Sequence, residues 1–188
     1  MDLRGTKVIL RSKRLEDAPN EYQWRSDPEL SRLDAAAPLT MGDEEFWRIF
    51  KGQFDYPTPW TQRLSIDTLD GLYIGNCMYY DIDAINKEAE IGIMIGNRYY
   101  WGKGYGLDAM VTLVDYVFSH GSLKSLYLHT LEWNKRAQRC FGKCGFLPVR
   151  HVRRSGNDFV RMEIEKDSWE SARNTEVGIQ TSPSEVRD

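Results

Sequence analysis

A run of alternating glycines, set between a strand pattern and a long amphipathic helix, constrains this chain more than any other feature. The run is Trp101-Gly102-Lys103-Gly104-Tyr105-Gly106. Before it, Ala89, Ile91, Ile93 and Ile95 alternate with Glu88, Glu90, Gly92 and Met94, the period of a half-buried strand. After it, Leu107, Met110, Val111, Val114, Val117 and Phe118 recur at helical spacing. Asp108, Thr112, Asp115 and Ser119 take the opposite side, and Gly121 is placed to stop the helix. A helix opened by glycines presents unpaired N–H groups with little side-chain bulk over them, which is how a phosphate site is built. Residues 102–107 are therefore the candidate cradle for a phosphate or pyrophosphate. The plainer alternative is a turn that only joins strand to helix.

Two other phosphate patterns compete for the same residues. Gly104-x-Gly106-x-x-Ala109 fits the dinucleotide fingerprint, with Glu132 downstream to hold a ribose. That fingerprint opens a series of βαβ units, whereas here an antiparallel-looking half precedes it and one more helix follows, which disfavours a nicotinamide or flavin domain. The P-loop is excluded because no Gly-Lys-Ser/Thr ends the turn.

Along the chain, residues 8–10 read as a first strand and 15–25 as a helix, with Asp17 at its N-cap, Pro19 in its first turn and Asp27-Pro28 ending it. Residues 40–51 read as a second helix opened by a capping box of Thr40 and Asp43. Phe46, Trp47, Phe50, Phe54, Tyr56 and Trp60 make the following stretch aromatic, suiting either core packing or a pocket wall. Strands at 63–67 and 72–80 flank Asp70-Gly71, a hairpin signal, and 81–86 connect to the strand at 87–95. After the long helix, 124–131 form a strand that a strand–helix–strand passage places parallel to its predecessor. Asn134 caps a helix carrying Ala137, Cys140, Phe141 and Cys144 on one face, and Gly145 suits a left-handed end. A closing hairpin of 146–153 and 158–165 turns around Ser155-Gly156-Asn157, with Val160, Met162 and Ile164 inward. The expected fold class is α/β (α+β): a mixed, mostly antiparallel central sheet with flanking helices.

At 188 residues the chain suits one domain, taken as 1–173, followed by a polar, disordered tail at 174–188. The net charge of −3 gives no reason to expect nucleic acid as a partner. No apolar run reaches membrane-spanning length, and Met1-Asp2-Leu3-Arg4 lacks a signal-peptide shape. Three cysteines, Cys77, Cys140 and Cys144, fit reduced thiols in a cytoplasmic protein, and without a further Cys/His cluster they point to core positions and to no metal.

Three segments together resemble the GNAT superfamily of N-acetyltransferases, over roughly residues 7–166. Ala89-Glu90-Ile91-Gly92-Ile93 is similar to the family's fourth strand. Trp101-Gly102-Lys103-Gly104-Tyr105-Gly106 is similar to its Gln/Arg-x-x-Gly-x-Gly/Ala loop, which binds the coenzyme A pyrophosphate. Asn134-x-x-Ala137-x-x-x-Phe141-x-Lys143-x-Gly145-Phe146 resembles its late helix. Within the superfamily the chain looks most like the branch of ribosomal-protein N-terminal and spermidine-type acetyltransferases. The resemblance implies a GNAT-like fold, acetyl-CoA as co-substrate and a primary amine as acceptor, either a protein N-terminal α-amine or a small molecule, in a monomer or homodimer. It implies that main-chain groups of Met94 and Ile95 flank the pantetheine, that Trp101, Gly102, Lys103, Gly104, Tyr105 and Gly106 surround the pyrophosphate, and that Asn134 contacts the pantetheine arm. Lys103 and Arg98 suit phosphate by charge, or equally solvent. Phe141 stands where many members carry a tyrosine thought to protonate the leaving thiolate. Lacking a hydroxyl, it cannot do so, and this leaves a non-catalytic acyl-CoA-binding or sensing module as the alternative function.

Attack needs a neutral amine. At pH 7, neutralising a lysine-like amine costs about 4.6 kcal/mol and an α-amine about 1 kcal/mol, which inclines the reading toward an α-amine. Glu90, on the strand leading into the coenzyme site, is the candidate general base, directly or through water; the alternative is a cross-strand ion pair. Arg150, His151, Arg153, Arg154 and Arg161 make the closing hairpin basic, which suits either an acidic acceptor or plain solvation.

Overall fold

The computed structural model describes residues 2–180. Its centre is one eight-stranded sheet built from β1 (Asp2–Arg4), β2 (Val8–Ser12), β3 (Thr61–Thr68), β4 (Tyr73–Asp83), β5 (Glu88–Ile95), β6 (Ser125–Leu131), β7 (Leu147–Arg154) and β8 (Asn157–Glu165). The order across the sheet is β1-β2-β3-β4-β5-β6-β8-β7. Every pairing is antiparallel except β5 with β6. The helices are α1 (Ala18–Ser26), α2 (Pro28–Leu33), α3 (Asp43–Asp55), α4 (Tyr105–His120), α5 (Lys135–Lys143) and α6 (Lys166–Gln180). The mixed, mostly antiparallel sheet and its one parallel step follow the sequence pattern.

Strand alternation sorts the side chains onto two faces. Ile91, Leu64, Ile66, Leu126 and Leu128 bury against Met110, Leu113, Val114, Val117 and Phe118 of α4, making the main core. The other face receives α1 and α2, where Trp24 and Leu30 pack with Tyr73, and Met94 and Trp101 join them. Phe46 and Phe50 of α3 pack on Ala18, so part of the aromatic stretch is core, while Trp47, Tyr56 and Trp60 remain exposed.

Two of the hairpin turns follow directly from their residues. Ser155 (φ 47°) and Gly156 (φ 80°) form a two-residue turn with both centres left-handed, the geometry that matches strand twist. Gly71 takes φ 86° between β3 and β4. A buried charge network fixes α1 to the sheet. The Arg11 guanidinium donates to Asp17 at 2.7 and 2.8 Å and to Asp67 at 2.6 Å, and the Ser65 hydroxyl donates to Asp17 at 2.7 Å. Paired charges tolerate burial, although Asp67 Oδ1 keeps no partner among the described residues; losing Arg11 would strand both carboxylates.

Several local expectations are corrected. Asp17 stands at the N-cap of α1 as expected, but its side chain makes no capping bond: the carboxylate is taken by Arg11, Ser65 and the Arg14 N–H, and a 3-10 turn over Leu15–Asp17 precedes α1. Asp27-Pro28 ends α1 and also opens α2, with Asp27 Oδ1 accepting from the N–H groups of Glu29 and Leu30. There is no Thr40–Asp43 capping box, because α3 starts at Asp43 behind Gly42. A helix, α6, follows β8 and is described to Gln180, so the polar segment expected to be disordered from 174 is helical in its first part; residues 181–188 lie outside the described residues. Its Trp169 packs on the main core, and Arg173 pairs with Asp115 of α4.

Candidate active site

The site begins as a fork in the sheet. β5 stays paired with β4 as far as Ile95, but pairs with β6 only at Glu88, Ala89 and Glu90. From Ile91 onward the two central strands diverge, and a groove of about 720 Å³ opens between them. It runs from the glycine turn, past Met94 and Ile95, to Glu90 and the β7–β8 hairpin. The helix after β6 flanks it through Asn134 and Phe141, and the end of α2 through Leu33 and Asp34. Arg32 of α2 lies 4.6 Å over the Trp133 ring, so the α2 side reaches the loop after β6.

At the glycine-turn end, Gly102 (φ 70°) and Gly104 (φ 88°) are left-handed, which only glycine adopts without strain. Gly104 is the N-cap of α4 and brings no side chain to it. The first N–H groups of α4 therefore meet the groove uncovered. Asp108, an acid in this first turn, would repel a phosphate. Its carboxylate is turned aside, accepting from the N–H groups of Thr6, Lys7 and Val8 and from the Thr6 hydroxyl. The Trp101 indole N–H donates to the Ile95 carbonyl at 2.6 Å, tying the turn to the strand end, and Arg136 lies 3.7 Å over the Trp101 ring.

All the coenzyme candidates except Lys103 and Tyr105 line this groove. Lys103 instead rests 3.3 Å over the Tyr99 ring, and the half-buried Tyr105 ring packs edge-on to Tyr100. Asn134 uses its carboxamide oxygen to cap α5, accepting from Ala137 N–H, which leaves its nitrogen as the donor for a ligand. Phe141 lines the groove and packs on Phe146. Arg98, a phosphate candidate by charge, is held by Asp27 at 2.6 Å and Glu29 at 3.0 Å.

At the other end the structure brings together groups the sequence reading leaves apart. Glu90 is the last residue of β5 paired with β6, opposite Tyr127. His129, two residues further along β6, shares that face and leans across the fork, its Nδ1 2.8 Å from Glu90 Oε1. Both side chains are nearly dry, 5% exposed for His129 and 10% for Glu90. Tyr80 pairs across from Glu90 on β4; burial first, and then that carboxylate, raise its phenol above the ordinary range and keep it protonated. His129 Nε2 is buried without a hydrogen-bond partner among the described residues, a state that costs about 1–3 kcal/mol unless a ligand uses it. Arg154 alone of the basic hairpin enters the groove. Arg161 stacks on Tyr127 and pairs with Glu88 and Glu163, and Arg153 reaches Asp158. The parallel register of β5 and β6 was the missing signal: alternation alone puts Glu90 on a face but does not say which β6 residue stands beside it.

A glycine-capped helix beside a parallel strand fork is the architecture of an acyl-CoA acetyltransferase, and the comparisons agree. The acetyltransferase (GNAT) domain model matches residues 7–147. The chain belongs to the GNAT family and is an acetyl-CoA-dependent N-acetyltransferase. It is 32% identical over 128 residues to an uncharacterized N-acetyltransferase, p20, of Bacillus licheniformis, covering 64% of this chain and 67% of that protein. It is 28% identical over 128 residues to alpha/beta-tubulin-N-acetyltransferase 9 of Drosophila melanogaster, covering 64% of each. The chain thus spans about two thirds of the length of these relatives. A spermidine N-acetyltransferase from Vibrio cholerae, solved with CoA and spermine, superposes with a TM-score of 0.76 at 20% identity, covering 86% of this chain and 97% of that one; this shows a shared fold. Among the described residues no helix is long and apolar enough to cross a membrane.

Proposed function

We propose that acetyl-CoA lies in the fork and that the acceptor is a primary amine of the α-amino kind, as at a peptide N-terminus. The observation that carries this reading is the continuity of one groove from the glycine turn, through the fork, to the Glu90–His129 pair. The N–H groups of residues 102–106 hold the pyrophosphate. Past Glu90 the edge of β5 has left β6, and its main chain toward Met94 and Ile95, with the Ile95 carbonyl already held by Trp101, offers the pantetheine amides a strand to pair with, as an added β-strand would. Asn134 contacts the arm, and Arg136 stands beside the phosphate end. The thioester then lies toward the apex of the fork, where the acceptor enters from the α2 side and gives up its proton to the Glu90–His129 pair.

Arg154 supports an α-amine over a polyamine. Its Nη1 stands 3.5 Å from His129 Nδ1, so an acceptor bearing several ammonium groups meets a guanidinium at the reacting end. A peptide amine, with a carbonyl beside it, meets a donor. Thiol release from acetyl-CoA, followed over a panel of N-terminal peptides, lysine and spermidine, tests this. The expected result is a kcat/KM for α-amines at least tenfold above that for spermidine. A tenfold preference for spermidine would overturn the acceptor class, and binding of acetyl-CoA without turnover of any amine would overturn transfer itself.

A further inference from the structure

We infer that His129, through Nε2, is the base that takes the proton from the acceptor amine, and that Glu90 is a positioning residue acting through it. The inference rests on the acetyl-transfer reading above and assigns the chemistry to one atom. A carboxylate can only accept, so at 2.8 Å from Glu90 Oε1 the neutral imidazole carries its hydrogen on Nδ1 and its lone pair on Nε2. That nitrogen is buried, has no partner among the described residues, and belongs to a side chain that lines the groove. The ring is held upright by edge-on packing against Tyr127 at 5.7 Å and Phe159 at 6.4 Å. Glu90, by contrast, is occupied: its Oε1 is held by His129. Gly92, next on the same face of β5, bears no side chain and leaves the space in front of the fork open.

The step balances without further reagents. The acceptor ammonium, seated against Nε2, gives it one proton, which the imidazolium passes to solvent once the products have left. The freed nitrogen lone pair forms a C–N bond to the acetyl carbon. The C–S bond breaks with its electron pair going to sulfur, and the second nitrogen proton ends on the thiolate. Glu90 stabilises the imidazolium while it lasts. The charged and titratable groups facing the ring are Glu90 on β5, with Tyr80 on β4 behind it; Tyr127 on β6, with Arg161 of β8 stacked on it; and Arg154 on β7.

The test compares the wild type with His129→Ala, His129→Gln, Glu90→Gln and Glu90→Asp on one α-amine peptide. His129→Ala and His129→Gln should lower kcat/KM about a hundredfold or more and flatten the acidic limb of its pH profile, with acetyl-CoA affinity unchanged. Added imidazole should restore part of the rate in His129→Ala. Glu90→Gln should cost about tenfold, Glu90→Asp less, and the Glu90→Gln/His129→Ala pair no more than His129→Ala alone. An acidic limb retained in both His129 variants, with Glu90→Gln the more damaging change, overturns the assignment and makes Glu90 the base. Nitrogen NMR of the wild type decides independently of turnover. The Nδ1–H tautomer supports the inference, and an Nε2–H tautomer overturns it. An inactive wild type would instead strike the acetyl-transfer reading, before any variant is made.

Discussion

Gly96 joins β5 to the glycine turn, and replacing it by alanine tests whether that junction rests on α1. A Cβ there would stand 2.0 Å from Cδ2 of Trp24, 2.4 Å from Cε2 and 2.5 Å from Cε3. Carbon atoms rest at about 3.5–4.0 Å, so the indole or the strand must move by roughly 1.5 Å. Neither moves freely. Trp24 is 7% exposed and packs on the Tyr73 ring at 4.9 Å, and the next residue's N–H bonds the Ile74 carbonyl at 3.1 Å. Overpacking of this kind costs about 1–3 kcal/mol, which for a chain of this size lowers Tm by about 2–12 °C. Urea unfolding should show a lower midpoint at unchanged slope. Because Met94 and Trp101 belong to the same cluster as Trp24, calorimetry should also show weaker acetyl-CoA binding. Trp24→Phe makes room, so the double variant should be more stable than the two single effects predict by about 1 kcal/mol or more. A Gly96→Ala protein within about 0.5 kcal/mol of wild type, or strict additivity with Trp24→Phe, would refute the reasoning.

Gly104→Val, at φ 88° on the N-cap of α4, should raise the Kd for acetyl-CoA at least tenfold while Tm falls only a few degrees; unchanged affinity in a folded variant would remove the pyrophosphate from this turn. Asp108 is pushed up by burial, but the hydrogen bonds from Thr6, Lys7 and Val8 hold its carboxyl below the ordinary range, so its contribution is present above the unfolded value of about 3.9 and lost as pH falls through the folded one. Tm of the wild type should therefore drop more steeply below about pH 4 than that of Asp108→Asn; parallel curves would contradict this. Gly92→Leu should fold, since a Cβ there meets Met78 and Tyr80 at an ordinary 3.7 Å, and should raise the acceptor KM about tenfold without changing acetyl-CoA affinity; an unchanged KM would place the acceptor elsewhere.

What the sequence disclosed depended on how local the cause was. The glycine turn, the α4 stripe and the Asn134 cap are each decided within a few residues and are read correctly, and the closing hairpin is placed correctly, with a two-residue turn where Ser155-Gly156-Asn157 is expected. Asp17 and Asp27 show where that fails. Both are acids beside a helix start, yet Asp17 is claimed by Arg11, a buried cation from another strand, while Asp27 is left to cap α2. Arg98 likewise looks like a phosphate ligand until the fold brings Asp27 and Glu29 to it. His129 is the largest omission, because its meaning comes only from pairing across 39 positions of sequence.

That pairing follows from how the two central strands choose their neighbours. β5 follows β4 to Ile95, and β6 follows β8 from Ser125 to Leu131, both along long antiparallel ladders. The parallel ladder between them is three residues long. Where the longer ladders diverge in direction, the shorter one must open, and it opens after Glu90. Opening leaves backbone donors and acceptors of β5 and β6 facing one another across a gap, and buried groups of this kind require partners. Under the reading proposed above, the amides of a pantetheine arm are that partner, and the opening that disrupts the sheet becomes the seat of the coenzyme. The last closed pair then fixes the chemistry. Glu90 and Tyr127 share a face, the next step along that face of β6 is His129, and the next along β5 is a glycine. The carboxylate, the imidazole and the space in front of them are therefore set by the one register that ends the parallel ladder.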